Sequence, residues 1–264
     1  MKNIIVSLHR NLCLRTIAAL LLSLALLVVN AQAQDADNDG LTDAQETAGI
    51  LLIPGVVALP DGTNFLERCP ATALATDSCV DPAGPDVFVI LVRAPTGSRI
   101  PSNPLAFMAN LTPSLGVHEI SNNTDRCIIA DCVQKAIRIT EDLNTNDTIW
   151  GRSLFQGTPN TAGEATVFTE RIKRALDQKY LSATGSPAPQ TVVDNCIRHV
   201  TAHEGGHNKA ISPQSNTRFG GNHYSTSDKV VMSQSATITV KGSSVTVVCP
   251  SIYASPDITG FRLK

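Results

Sequence analysis

The sequence predicts an α+β domain with a small acidic loop segment ahead of it. Three observations carry that prediction. The stretch "DVFVILV", Asp86 to Val92, is continuously apolar and β-branched, so it reads as a strand buried on both faces. Two later stretches, residues 169–180 and the run that begins at Thr191, repeat apolar residues at helical spacing. "DADNDGLTDAQE", Asp35 to Glu46, places acids at positions 1, 3, 5, 9 and 12 of a loop with Gly40 at position 6.

The elements follow in chain order. Met1 to Arg15 is short and basic, with Lys2, Arg10 and Arg15 and no acid. Thr16 to Val29 is an apolar run, and Ala31, Gln32 and Ala33 follow it. This is the layout of a secretory signal peptide over residues 1–33, and the run is short for a membrane anchor. The expected product is secreted or periplasmic, with no stable membrane association once the signal is cleaved. Residues 34–84 form an N-terminal segment that carries the acidic loop and then an irregular connection, Ile50 to Pro85, rich in Pro, Gly, Ala and Thr. Residues 85–264 form the main domain. Within it, 86–92, 116–120, 135–140 and 165–169 read as strands and 93–113 as loop. "TERIKRALDQKY" reads as a helix with Ile172, Ala175, Leu176 and Tyr180 on one side. After "SPAPQ", Thr191 is expected to cap a helix with help from Asp194 at its third position. That helix carries Val192, Val193, Cys196 and Val200 on its apolar stripe and runs through His207. "TITVKGSSVTVV" then alternates about a turn and reads as a hairpin, and residues 255–263 as a short closing helix.

Charge and cysteine content narrow the function. Loss of the leader removes three of the 21 Lys+Arg and none of the 23 Asp+Glu, which leaves a formal charge of about −5. No basic cluster exists, which argues against nucleic acid or an anionic membrane as partner. About 230 residues suit one medium domain with a small appendage. Past Cys13 the cysteines are even in number: Cys69, Cys79, Cys127, Cys132, Cys196 and Cys249. In an exported chain such a set reads as disulfides. The close pairs Cys69/Cys79 and Cys127/Cys132 would each close a small loop, leaving Cys196 for Cys249.

The acidic loop follows the EF-hand calcium template. Asp35, Asp37 and Asp39 turn carboxylates to one point, and Gly40 permits the sharp turn. Leu41 offers a backbone carbonyl, Asp43 stands at position 9, and Glu46 closes the site from the first turn of a short helix. Hard oxygen donors in this number suit Ca²⁺ and not zinc. The stretch resembles the calcium loops of bacterial thrombospondin-type-3-like repeats and dockerins, present here as a single copy.

The sharpest chemical signal is "HVTAHEGGHNKAISPQSNTRFGGNHYSTSDKVVMSQ", His199 to Gln234. His203, Glu204 and His207 make the pattern His-Glu-x-x-His on the expected helix. Residues four apart share a face, so both imidazoles can reach one zinc ion while Glu204 lies beside them. A catalytic zinc needs a third protein ligand. No glutamate follows Glu204, and His223, in "FGGNHY", is the only histidine after His207. Asp228 and His199 are the alternatives.

Helix, loop histidine and the methionine Met232 in "KVVMSQ" together resemble the metzincin clan of zinc peptidases. The clan's usual His-x-x-Gly-x-x-His spacing is not kept. Ala210 stands at the glycine position, and an insertion, "ISPQSNTRFGG", accounts for the greater distance to His223. The resemblance implies a twisted mixed sheet, an active-site helix and a methionine turn at Met232 forming an apolar floor. It implies a secreted zinc endopeptidase acting on protein or peptide, with His203, His207 and His223 on zinc. Glu204 would take the proton of a zinc-activated water and hand it to the leaving amine. The alternative is a non-catalytic, calcium-stabilised binding or adhesive module on the same fold. Glu204 speaks against it, because a binding protein has no use for that carboxylate.

Overall fold

The computed structural model describes residues 34–37, 39–70, 79–111, 115–121, 124–132, 134–146, 149–154, 163–208 and 236–251. At its centre is a five-stranded mixed sheet. β3 (Asp86–Val92) pairs in parallel with β4 (Gly116–Ile120) on one side and β5 (Ile137–Asp142) on the other. β5 pairs in parallel with β7 (Glu164–Phe168), and β6 (Gly151–Leu154) closes the order antiparallel to β7 at the edge. The fold is therefore α+β with a mixed sheet.

Strand geometry explains why β3 is apolar throughout. Successive side chains point to opposite faces, and both faces are covered. Val87 and Val89 enter one core with Leu105, Met108, Ile137, Ile139 and Val167. Phe88 and Ile90 enter a second core with Leu41, Ile50, Leu52, Leu66 and Ile128. The first core is roofed by two helices, α2 (Thr169–Thr184) and α3 (Gln190–Asn208), through Ile172, Leu176, Val193, Cys196, Ile197 and Val200. The second is built largely from the N-terminal segment. That segment holds a short helix, α1 (Asp43–Ala48), and a two-stranded ladder of β1 (Ile50–Leu51) and β2 (Phe65–Leu66), in a connection expected to be irregular.

The sequence reading holds for β3 and β4 to the residue, while β5 and β7 are displaced by one or two positions. β6 was not anticipated: four residues, "GRSL", give too short a pattern to read. The start of α3 needs correction. Thr191 lies inside the helix and does not cap it. The Pro189 carbonyl accepts from the amides of Val192 and Val193, so Pro189 stands at the N-cap position, one residue before the helix begins at Gln190. Asp194 accepts from the Gln190 side chain instead. The expected hairpin is present as β8 (Thr237–Lys241) and β9 (Ser244–Val248). The expected closing helix lies outside the described residues, as does the leader.

Buried charge within the sheet is satisfied locally. Glu141, near the end of β5, is 6% exposed and accepts four hydrogen bonds, from Ala94 N, Ser98 Oγ, Arg99 N and Thr169 Oγ1. Burial acts to raise its pKa, but those four donors outweigh it and hold the carboxyl below its usual value.

Three disulfides join Cys69 to Cys79, Cys127 to Cys132 and Cys196 to Cys249, the chemistry of an oxidising compartment. Among the described residues no helix is long and apolar enough to cross a membrane. Cys196–Cys249 ties α3 to the strand end after β9 across 53 residues, whereas Cys127–Cys132 spans 5. Chain entropy then sets their order of importance. Removing the first pair by double alanine substitution should cost about 4 kcal/mol and removing the second about 2 kcal/mol. Urea unfolding of the two variants checks this, and an equal or reversed order contradicts it.

Candidate metal centres

Two groups of metal-ligating side chains stand out. The first is on α3. Its period brings His203 and His207 onto one face, and their Nε2 atoms approach to 3.1 Å. Tetrahedral zinc with nitrogens at about 2.1 Å holds its ligand atoms about 3.4 Å apart, so the pair converges as two ligands of one ion would. Both rings are buried, as is Glu204 between them. Burial pushes the Glu204 carboxyl up to about 8.

β6 lies against this face. Gly151 is needed there because of its neighbours: a Cβ at 151 would stand 2.5 Å from Glu204 Oε1 and 2.6 Å from Val200 Cγ1. Any side chain there would force Val200, Glu204 or β6 itself to shift.

His199 has a different task. Its Nδ1–H donates to the Pro250 carbonyl at 2.9 Å, next to the Cys196–Cys249 bridge. Burial lowers its pKa to about 4 despite that bond. It fastens α3 to the C-terminal hairpin. Among the described residues no third histidine, cysteine or acid converges with His203 and His207. His223, Asp228 and Met232 lie outside the described residues.

The second group is acidic. Asp35, Asp37 and Asp39 offer oxygens within 4.8 Å of one another, and so do Asp39, Glu46 and Asp86. Gly40 has φ 104°, the left-handed backbone the turn requires. The loop holds itself in shape by its own amides: Asp39 N donates to Asp37, Gly40 N to Asp35 and Leu41 N to Asp39. Leu41 is wholly buried in the second core. Thr42 and Gln45 form a reciprocal cap on α1, which carries Glu46 inward. Asp43 is absent from both converging sets. Its Oδ1 accepts from Ala36 N at 2.8 Å and closes the loop entrance.

Burial and neighbouring carboxylates push Asp37 up to about 6, Asp39 to about 8 and Glu46 to about 10. Acids so displaced want either a proton or a cation. The donor set is all oxygen and hard, which fits calcium or magnesium better than zinc. Sequence reading missed Asp86, along with His118 and Gln134 that support it. The available signal was an acid opening an otherwise apolar buried strand, since a buried charge needs a partner.

His199 provides a pH test. Its folded pKa lies below the ordinary 6.5, so between those values the unfolded chain binds the extra proton. Stability is present above pH 6.5 and is lost as pH falls towards 4. From pH 7 to pH 5 the metal-free wild type should lose about 2 kcal/mol more than His199→Gln, whose amide keeps a donor without titrating. Parallel pH dependences in denaturant titrations would exclude this.

Compared with known proteins, the chain matches no family model, no curated protein and no solved structure.

Proposed function

We propose that the chain is an exported, calcium-stabilised zinc endopeptidase of metzincin-like architecture. The observation that carries this reading is the 3.1 Å convergence of His203 and His207 Nε2 on a helix that also buries Glu204. In this reading His203, His207 and His223 hold zinc and Met232 lies beneath them. Zinc bound there would supply a Lewis acid for a carbonyl and bring the pKa of water towards neutrality.

The chain's own groups do the rest. The Glu204 carboxylate accepts a proton from the attacking water and delivers it to the leaving amine nitrogen. Among the described residues β6 is the last strand of the sheet and pairs with β7, and a terminal strand is where an extended peptide adds to a sheet. Gly151 on that strand packs against Glu204, so a peptide added to the edge would run past the catalytic carboxylate. This favours a peptide over a small-molecule substrate. The disulfides and the signal-like leader support export, and the acidic loop supports calcium as the second ion.

Glu204→Gln should abolish hydrolysis of a denatured protein substrate while zinc stays near one per chain by elemental analysis. Hydrolysis by the zinc-loaded variant would refute the mechanism. His223→Ala should lose most of the zinc and nearly all activity, because two histidines hold the ion weakly. Full zinc occupancy in that variant would pass the third position to Asp228 or another group.

A further inference from the structure

We propose that Asp86, at the start of β3, is a ligand of the same cation that the acidic loop holds, so that one hard divalent ion clamps the N-terminal segment onto the central sheet. The inference rests on the calcium-loop reading and deepens it.

Oxygens of Asp39, Glu46 and Asp86 all lie within 4.8 Å of one another. A calcium shell with Ca–O near 2.4 Å is about 4.8 Å across, so the three fit around one ion. Glu46 is the independent sign of a missing partner. The residue is 0% exposed, and both of its carboxylate oxygens are buried without a hydrogen-bond partner among the described residues. Glu141 shows how this protein treats a buried carboxylate that needs no metal, with four donors around it. Glu46 has no such donors and points towards two further acids. Asp37 Oδ2 is likewise buried and has no hydrogen-bond partner among the described residues. A cation is what this set lacks.

Asp86 is held as ligands are held, by groups behind it. His118 Nε2–H donates to its Oδ1 at 2.7 Å, with both side chains 1% exposed. The Asp86 amide donates to Asp39 Oδ2 at 2.9 Å, and Gln134 Nε2 bridges the carbonyls of Asp39 and Asp86 at 2.9 and 2.7 Å. Opposite Asp86 in the ladder stands Gly116, where any Cβ would overlap Asp86 Oδ1. Asp43, the template's ninth position, is engaged with Ala36 N. Asp86 supplies the carboxylate that the loop itself does not.

Calcium titration of the full chain by calorimetry tests the assignment, with Asp86→Asn, Asp37→Asn and Asp43→Asn compared. Wild type should bind calcium, and Asp86→Asn and Asp37→Asn should each weaken it about tenfold or more, with Asp43→Asn close to wild type. No calcium binding by wild type would overturn both the loop reading and this inference. Weakening by Asp37→Asn with Asp86→Asn unchanged would overturn this inference alone. If Asp86→Asn does not fold, hydrogen exchange on wild type decides. Calcium should then protect amides at 86–89 as well as 39–46, and protection confined to the loop would overturn the clamp.

Discussion

The start of β3 places a carboxylate at the mouth of a strand that is otherwise apolar on both faces. Asp86 is 1% exposed, and Asp39 and Glu46, brought to it from the N-terminal segment, are wholly buried. Three carboxylates so close repel one another and lose hydration, which is among the costliest arrangements a protein interior can hold. The same strand carries Val87 and Val89 into one core and Phe88 and Ile90 into the other. The acid cluster thus sits at the start of the parallel ladder to β4, where the N-terminal segment docks on the sheet.

Helix α3 is the second organising element, and it serves two purposes with two faces. Val193, Cys196, Ile197 and Val200 lie in the first core, while His203 and His207 converge further along. Such a helix needs fixed axial position, since a ligand pair is useful only if it does not slide. The Pro189 carbonyl anchors its first turn, Cys196–Cys249 and His199–Pro250 tie its middle to the C-terminal hairpin, and β6 abuts its far half through Gly151. His199 is therefore a fastening and not a spare ligand. Among the described residues its ring does not converge with His203 and His207, and its bond to Pro250 ties the helix to the hairpin.

The two candidate centres differ in the chemistry of their donors. The helix offers imidazole nitrogens and the loop offers carboxylate oxygens, so neither set suits the other's ion. They also differ in how their parts are gathered. The histidines come from one turn of one helix, whereas the oxygens come from a loop, the helix after it and a strand 47 residues further on.

Much of this was legible along the chain, because it is encoded over short spans. The helical period puts residues four apart on one face, a twelve-residue loop spaces its acids by its own turns, and continuous apolarity marks β3. The disulfide loops of Cys69–Cys79 and Cys127–Cys132 follow from proximity in sequence. The tertiary structure alone decided what depends on distant partners. Gly151 matters because Glu204 lies against it, His199 is structural because Pro250 is 51 residues away and adjacent in space, and Asp86 joins Asp39 and Glu46 only after β3 is placed in the sheet. A strand of four residues such as β6 has too little pattern to announce itself, and an acid at a strand's first position looks like an exposed terminus until the second core covers it. Local periodicity is written in neighbouring residues, whereas burial is a property of the folded chain as a whole.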